Sequence, residues 1–405
     1  MKGFRKVKLN DITVNLDKIR IPLSSYERSK LEKKYPYYGA QGIIDYVDNF
    51  IFDGEYLLVA EDGENLKSQK NKICNFVNGQ FWVNNHAHIL QANEENDIKY
   101  IYYKLNLINF RPYISGSAQP KLTQDNLNKI ELTIHDLKNQ QKIATVLSTL
   151  DSKIELNNRI NTELEAIAKT LYDYWFVQFD FHDANGKPYK TSGGKMVYNA
   201  ALKREIPEGW ADIKIGRMEP NIVTGKTPST ANSDYFNGEI PFITIGDIRG
   251  SAFIVKTEQT LSIEGANSQG NKYLPKGAIC VTCIASPGLV GFVTQTSQTN
   301  QQINSVICSN EFNRYFLYFA INGYFSGAKA KTGNTFANMN KGDFSEILVV
   351  EPLEDIRKFF HEKIDAVFKE IKIKSQENIR LEQLRDYLLP MLMNGQVTVV
   401  NKDDI

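Results

Sequence analysis

The chain has 405 residues, with 48 lysines and arginines against 47 aspartates and glutamates, which gives a formal net charge of +1. This length predicts two or three domains, and 42% hydrophobic with 23% charged residues excludes a disordered, collagen-like or low-complexity chain. The near-neutral balance also excludes a polycation that coats nucleic acid indiscriminately, although a local basic face is compatible with it.

The four cysteines are too few for a disulfide scaffold and are expected to be reduced thiols. The N-terminal residues carry charge without an apolar segment behind them, and no apolar run approaches the ~18 residues that span a bilayer. We therefore expect a cytoplasmic protein without a membrane partner.

An internal repeat organises the sequence. The Ser-Gly-Ser run at 115–117 matches the Thr-Gly-Asn run at 332–334, and this offset of 217 residues holds through the helical segment that follows each run. Earlier in each half the offset is smaller, with Pro36 matching Pro241 and Asn84 matching Asn300. The chain is thus predicted to be a duplicated unit, in which a variable module precedes a helix of constant length.

Each half is predicted to begin with a β-rich module, because short apolar runs at 56–60 and 278–284 follow Asp-Gly or Lys-Gly turn signals. The expected fold class is α+β, with two β-rich domains separated by two long helices and an internal pseudo-two-fold repeat. The expected parts are a first module at 1–135, a long helix at 136–180, a linker at 181–205, a second module at 206–350, a second long helix at 351–396 and a tail at 397–405.

The helices carry the most regular pattern in the sequence. Alternating steps of four and three from Ile143 to Trp175 give ten positions, eight of them apolar, which is typical of a coiled-coil seam. The same positions shifted by 217, from Phe360 to Leu392, are apolar at seven of ten. A helix of ~40 residues would reach about 60 Å, longer than one domain core needs. We therefore expect the two helices to pair as an antiparallel coiled coil that acts as a spacer.

Three short motifs bear on catalysis or metal binding. The Gly-Lys-Thr run at 225–227 lacks the earlier glycine of a P-loop, and Cys280 and Cys283 have no second cysteine pair at zinc-finger spacing. His86 and His88 would share one face of a strand, but a metal site needs a third ligand. Structural interpretations are favoured for all three, so we expect a chain that is not an enzyme and binds no metal or cofactor itself.

Two amide-rich runs, at 81–88 and 297–304, occupy matching places in the two halves. Asn and Gln side chains read adenine in the DNA major groove, whereas Lys and Arg favour guanine or phosphate. Ordinary turn chemistry is the alternative interpretation of these amides.

Six motifs, in this order and with the duplication, carry a resemblance to a known family. They are the runs at 82–87, 171–176, 224–229, 240–248, 299–304 and 389–397, which read Trp-Val-Asn-Asn-His-Ala, Leu-Tyr-Asp-Tyr-Trp-Phe, Thr-Gly-Lys-Thr-Pro-Ser, Ile-Pro-Phe-Ile-Thr-Ile-Gly-Asp-Ile, Thr-Asn-Gln-Gln-Ile-Asn and Leu-Pro-Met-Leu-Met-Asn-Gly-Gln-Val. Over essentially its full length the chain resembles the specificity subunit of type I restriction–modification enzymes. Only the second module has the Gly-Lys-Thr-Pro-Ser box.

The resemblance implies a non-catalytic reader of double-stranded DNA with two target recognition domains, each binding one half of a split target, and helices that set the gap. It also implies methyltransferase subunits and motor-nuclease subunits as partners, which would bring S-adenosylmethionine, ATP and Mg. The alternative from another functional class is a structural or protein-interaction scaffold that does not bind DNA.

The candidate DNA-facing residues follow from the resemblance and from side-chain chemistry. In the first module they are Tyr37, Tyr38, Gln41, Asn84, Asn85 and His86, with Ser115 and Ser117 as candidate phosphate contacts. In the second module they are Lys226, Thr227, Thr244, Asp247, Asn300 and Gln301, with Lys331 as a candidate phosphate contact.

The polar positions in the middle of each seam predict the register of the helix pair. If the helices are antiparallel, Asn157 is expected near Asn378, and Asn161 near Lys374. Buried polar pairs of this kind penalise slipped registers. The alternative is that these residues are exposed where the helices splay apart.

Overall fold

The computed structural model describes residues 4–116, 119–332 and 338–400, with the backbone alone given for 329–332. The chain divides into two compact units. The first contains Met1–Ser152 and Leu381–Ile405, and the second contains Lys153–Arg380.

A six-stranded sheet forms the centre of the first unit, in the order β2-β7-β5-β6-β3-β4, and a separate two-stranded sheet pairs β1 with β8. The strands are β1 (Phe4–Lys8), β2 (Thr13–Asn15), β3 (Tyr35–Gly39), β4 (Gly42–Val47), β5 (Phe52–Ala60), β6 (Cys74–Val83), β7 (Ala87–Ala92) and β8 (Glu131–His135). The helices are α1 (Leu9–Ile12), α2 (Ser25–Ser29), α3 (Asn65–Ser68), α4 (Ile98–Leu105), α5 (Gln124–Asn128) and the first part of the long helix α6 (Leu137–Tyr172).

The two faces of this sheet bury different apolar clusters, because successive side chains of a strand point to opposite sides. Leu57 and Val59 pack with α4 and with the long helices of this unit. Leu58, between them, packs with Phe81 and Ile89 on the other face.

The second unit contains a five-stranded sheet, in the order β12-β19-β16-β17-β14, and a three-stranded sheet, in the order β15-β13-β18. The strands are β9 (Met196–Asn199), β10 (Arg204–Pro207), β11 (Ala211–Lys214), β12 (Ile222–Thr224), β13 (Phe236–Ile243), β14 (Phe253–Ile254), β15 (Gln259–Leu261), β16 (Ile279–Thr282), β17 (Val290–Val293), β18 (Gln298–Thr299), β19 (Ile303–Val306) and β20 (Leu348–Glu351). The helices are α7 (Ile215–Met218), α8 (Ile263–Asn267), α9 (Phe312–Thr332), α10 (Lys341–Ser345) and the long helix α11 (Glu354–Met393). Cys280 and Cys283 are free, buried thiols that belong to different clusters.

The internal repeat is visible in the strand registers. In the first unit β1 pairs with β8, with Val7 opposite Leu132, and in the second β11 pairs with β20, with Ile213 opposite Val349. A parallel pair also recurs, since β3 pairs with β6 as β13 pairs with β18. The expected α+β class and duplication are confirmed.

Both long helices are present and run antiparallel within the second unit, where Asn157 contacts Asn378 and Trp175 packs on Phe359. None of the twenty seam positions is exposed. The helices span 36 and 40 residues, and α6 ends in a π-helical turn at Asp173–Val177.

The segment predicted as a linker, 181–205, is instead part of the folded second unit. Phe181 is buried and stacks on Trp210 with ring centroids 4.9 Å apart, and the hairpin of β9 and β10 follows it. Asp180 accepts hydrogen bonds from the backbone and hydroxyl of Thr191, both at 2.7 Å. The composition is polar, but the buried ring, the hairpin and the hydrogen bonds to Asp180 tie the segment to the second unit.

Candidate nucleic-acid interface

The amide-rich runs sit at equivalent turns in the two units. The backbone N–H of Asn84 donates to the carbonyl of Tyr38 at 2.9 Å, and that of Asn300 donates to the carbonyl of Ile243 at 3.1 Å. Each asparagine side chain then accepts a backbone hydrogen bond from two residues further on, at 2.8 Å from His86 in the first unit. In the second unit this bond comes from Gln302, at 3.0 Å.

These contacts separate turn-forming amides from surface amides. Asn84 is only 7% exposed and Asn300 is half-buried, so ordinary turn chemistry explains these two residues. The residues that follow them, Asn85, His86 and Gln301, are exposed. The turn therefore presents different side chains from the same backbone frame.

Tyr37 is a correction to the candidate residues, because it is fully buried in β3 and offers no surface to DNA. Its hydroxyl accepts a hydrogen bond from the backbone N–H of Leu23 at 2.8 Å. Tyr38 is half-buried, and burial raises the pKa of its hydroxyl. Its ring packs edge-on against Phe81, with ring centroids 5.5 Å apart.

The hairpin between β3 and β4 adds residues that the sequence did not single out. Gln41 is exposed at its tip, and Ile43 and Ile44 next to it are 47% and 53% exposed. A methyl group built at Gly39 would lie 3.0 Å from Ile44 and 3.4 Å from the Asn84 amide, so the hairpin lies against the amide turn. We define the first recognition surface as Gln41, Ile43, Ile44, Asn85 and His86.

His86 and His88 do not share a face, because β7 begins only at Ala87 and His86 lies in the preceding turn. The Nδ1 atom of His86 lies 2.6 Å from Asp62, whereas His88 is 1% exposed. His88 lies instead beside Asp17 and Glu61, and the candidate ligand atoms of these three side chains are all within 4.8 Å of one another.

The cluster of Asp17, Glu61 and His88 is held as a buried salt-bridge network. Both ring nitrogens of His88 are engaged, Nδ1 with Asp17 at 2.5 Å and Nε2 with the Leu122 carbonyl at 2.8 Å. Arg20 donates to Glu61 at 2.8 Å, and its guanidinium lies 3.5 Å from Asp17. The Arg20 guanidinium thus already contacts both carboxylates, and both ring nitrogens of His88 already have protein partners.

The charges of this network shift its acids. Burial raises the pKa of Asp17, but the hydrogen bond and charge of His88 outweigh it, so the pKa lies below its usual value. Burial also raises the pKa of Glu61, but the hydrogen bond from Arg20 and the nearby charges outweigh it, so this pKa too lies below its usual value. Both carboxylates are therefore ionised at neutral pH, and the network stabilises the first unit next to the amide turn.

Of the candidate phosphate contacts, Ser115 is exposed and its backbone exchanges two hydrogen bonds of 2.8 Å with Lys121. Gly116, with φ +85°, has no room for a side chain, since a methyl group would meet the Gln119 carbonyl at 2.3 Å. Ser117 lies outside the described residues, and so does the side chain of Lys331.

In the second unit the Gly-Lys-Thr run lies directly against the amide turn. Lys226 donates its backbone N–H to the Thr299 carbonyl at 2.9 Å, and the Thr227 hydroxyl donates to Gln301 at 2.8 Å. A methyl group at Gly225 would lie 2.2 Å from the Asn300 carbonyl, so only glycine allows this approach. The Lys226 side chain is exposed.

Thr244 and Asp247 close a second loop, which follows β13 directly. The Asp247 carboxylate accepts from the backbone and hydroxyl of Thr244, at 2.7 and 2.8 Å, and from the backbone of Glu258 at 2.8 Å. Both carboxylate oxygens of Asp247 therefore accept hydrogen bonds that stabilise the loop. The exposed Arg249 follows it and donates to Ser286 at 3.4 Å, a basic residue that the sequence motifs did not indicate.

We define the second recognition surface as Lys226, Thr227, Arg249, Ser286 and Gln301. Its turn is joined to the loop of Thr244 by the Asn300–Ile243 hydrogen bond, and to the loop of Ser286 by a backbone bond of 2.9 Å between residues 283 and 302.

The polar contacts in the middle of the helix pair lie within the second unit. Asn157 is fully buried, and its Nδ2 donates to Asn378 and to Glu377, both at 2.9 Å. Asn378 in turn donates to Asn158 at 2.7 Å. The expected contact between Asn157 and Asn378 is present, and their burial is contrary to splayed, exposed helices.

The hydrogen-bond partner of Asn161 is one residue along the helix from Lys374, the residue expected near it. Asn161 donates to the Ser375 hydroxyl at 3.2 Å, next to the predicted Lys374. Lys374 instead turns to Glu370 and Glu377, at 3.5 and 3.6 Å, because its long side chain carries the charge out to partly exposed carboxylates.

The chain is similar to known proteins along both of its halves. Residues 1–166 and 207–383 each match the family model described as "Type I restriction modification DNA specificity domain". The chain belongs to this family. The two matched segments contain the two β-rich modules and most of both long helices, and membership confirms the expected role as a non-catalytic subunit for DNA target recognition.

Individual relatives agree with the family assignment. The chain is 33% identical over 330 residues to the type I restriction enzyme HindI specificity subunit of Haemophilus influenzae, covering 69% of this chain and 71% of the relative. The MjaIX specificity subunit of Methanocaldococcus jannaschii is 26% identical over 314 residues, covering 74% and 69%. A crystal structure of a type I restriction–modification S subunit from M. genitalium has the same fold, with a TM-score of 0.61, 15% identity and 96% coverage of both chains.

Among the described residues, no helix is long and apolar enough to cross a bilayer.

Proposed function

We propose that each unit of this specificity subunit reads one half of a bipartite duplex target through its own recognition surface. The observation that carries the proposal is the shared backbone frame, in which Asn84 bonds to Tyr38 as Asn300 bonds to Ile243. One frame that presents different side chains in its two copies is suited to reading two different half-sites.

The exposed side chains of the two surfaces differ in the DNA groups that they fit. In the first surface, Gln41 and Asn85 are amides suited to adenine, and the exposed Ile43 and Ile44 suit the apolar methyl group of thymine. In the second, Lys226 and Arg249 suit guanine or phosphate, and Gln301 suits adenine. The two surfaces are therefore proposed to select different bases.

Methyltransferase subunits and motor-nuclease subunits are the proposed protein partners, and they would bind S-adenosylmethionine, ATP and Mg. The chain itself is proposed to work in the cytoplasm, with free thiols and DNA as its ligand. The register of the helix pair is proposed to set the number of base pairs between the half-sites.

A gel-shift experiment tests DNA recognition against the scaffold alternative. The full chain, with and without its methyltransferase partner, is mixed at physiological salt with a pool of genomic duplex fragments. A defined subset of fragments should shift. Truncating Gln301 to Ala should weaken the affinity for those fragments by about 1–3 kcal/mol of binding free energy. A matched control, Gln376→Ala at an exposed position of α11, should leave the affinity unchanged. If no fragment shifts with the partner present, the scaffold alternative is correct.

A further inference from the structure

A small basic pocket lies in the second unit, where α9 and α11 meet the turn before β16. Its volume is about 200 Å³. Four basic side chains border it, and its floor is aromatic. The basic residues are Lys276, Arg314, Lys369 and Lys372.

Three of these cations lack a counter-charge. Lys369 pairs with Asp365 at 2.6 Å, and the Tyr315 hydroxyl donates to the same carboxylate at 2.9 Å. Within the described part of the chain, no carboxylate lies within 4 Å of the charged groups of Lys276, Arg314 or Lys372. In a chain with 48 basic and 47 acidic residues, this is a marked local excess of positive charge.

The unpaired cations also crowd one another. Partial burial lowers the pKa of Lys372, and the adjacent ammonium of Lys276 and the guanidinium of Arg314 lower it further. Like charges that border one small pocket repel each other, and an anion placed between them would relieve the repulsion.

Gly277 lets Arg314 reach this position. Its φ is +91°, and a methyl group there would lie 2.9 Å from the Arg314 guanidinium. On its other side the guanidinium lies 5.1 Å from the ring centre of Tyr315. Arg314 is therefore held by the turn and the aromatic floor, already aimed at the pocket.

We propose that the basic pocket binds a phosphate group, and that in the working subunit this is a phosphate of the DNA backbone, which rests on the function proposed above. Three convergent cations around a small open pocket match the size and charge of a phosphoryl oxyanion. The pocket lies at the start of β16, and the other end of this four-residue strand borders the second recognition surface. The strand itself spans about 10 Å at ~3.3 Å per residue, so the pocket and the surface beyond its two ends lie within reach of one DNA duplex.

The first arm of the test measures binding of the full chain to a fluorescent 40-base-pair duplex of random sequence by anisotropy, across a range of KCl concentrations. The variant is K276Q/K372Q, and the matched control is K358Q/K363Q, which removes the same charge from exposed positions of α11 outside the pocket. Loss of one phosphate contact should reduce the salt slope by about 0.9 and weaken binding by about fivefold to tenfold at 0.1 M salt. The control should change neither quantity by as much.

The second arm measures anion binding in the absence of DNA. Thermal unfolding is measured in sodium phosphate and in NaCl at equal ionic strength, and phosphate should raise the midpoint of the wild type but not of K276Q/K372Q. The G277A variant, which removes no charge, should lose the same stabilisation because it displaces Arg314.

The outcomes are distinct. If K276Q/K372Q has the same salt slope as the control variant and is stabilised by phosphate as much as the wild type, the pocket proposal is overturned. If the phosphate effect depends on the lysines and the DNA slope does not, the site takes a free anion and the DNA source is wrong. If the wild type binds no duplex while phosphate still stabilises it through these lysines, the proposed function fails and the anion site stands.

Discussion

The pairing of Asn157 with Asn378 makes a quantitative prediction about the helix pair. We expect a double-mutant cycle with Asn157→Leu and Asn378→Leu to show strong coupling. Both side chains are less than 10% exposed, and they share a hydrogen bond of 2.9 Å. Each single substitution leaves a buried polar atom of the other asparagine without this partner.

The magnitudes follow from those contacts. In N157L the Asn378 carbonyl oxygen loses its donor, which should cost about 1–3 kcal/mol. In N378L the Asn157 amide keeps Glu377 as an acceptor, so a smaller cost of about 1 kcal/mol is expected. The double variant has neither stranded group, and it also removes the Asn157 carbonyl oxygen, which already lacks a partner. Its stability should therefore equal or exceed that of the wild type.

The assay is urea unfolding of the four proteins at 25 °C, with the m-value checked for constancy. We expect a coupling energy of at least about 1 kcal/mol, with the double variant more stable than either single variant. Additive single effects would refute the view that the two asparagines act as one buried pair.

Three further predictions concern other buried groups. Asp17→Asn should destabilise the first unit by about 3 kcal/mol at pH 7, because it removes the buried carboxylate that pairs with the Arg20 guanidinium and hydrogen-bonds to His88. Since the pKa of Asp17 is lowered in the fold, its stabilisation is present above the usual carboxyl range and lost as the pH falls, so acid unfolding curves of variant and wild type should converge below about pH 3. Gly225→Ala should destabilise by more than about 3 kcal/mol and abolish binding at one half-site, because its methyl group would overlap the Asn300 carbonyl, and urea unfolding with gel shifts measures both effects. Glu165→Gln should raise the thermal midpoint at pH 7 and lose that gain at pH 4, because burial raises the pKa of Glu165 and its ionised form is the costly one.

Much of the fold could be predicted from the sequence because its signals are local or repeated. The seam from Ile143 to Trp175 has a period that only a helix satisfies, and a constant offset of 217 residues requires equivalent structure in both halves. The registers of Val7 with Leu132 and of Ile213 with Val349 show how faithfully the repeat is kept.

The individual site residues were harder to predict, because strand periodicity does not say which face is inward. Tyr37 and Tyr38 are adjacent aromatic residues, yet the first is wholly buried and the second is not. The role of Asn84 depends on a turn whose geometry exists only once β6 and β3 pair. Phe181 was hidden in a polar stretch, since no periodicity marks a single buried ring.

The measurement that tests the account most directly is the genomic methylation pattern of cells that carry the complete restriction–modification system. Cells with Gln301→Ala, with Asn85→Ala or with the unaltered subunit are compared by sequencing that detects methylated bases. Each substitution should relax or change the modified sequence in one half of the target only, with the opposite half and the gap unchanged. A change in both halves from either single substitution would contradict the assignment of one half-site to each unit.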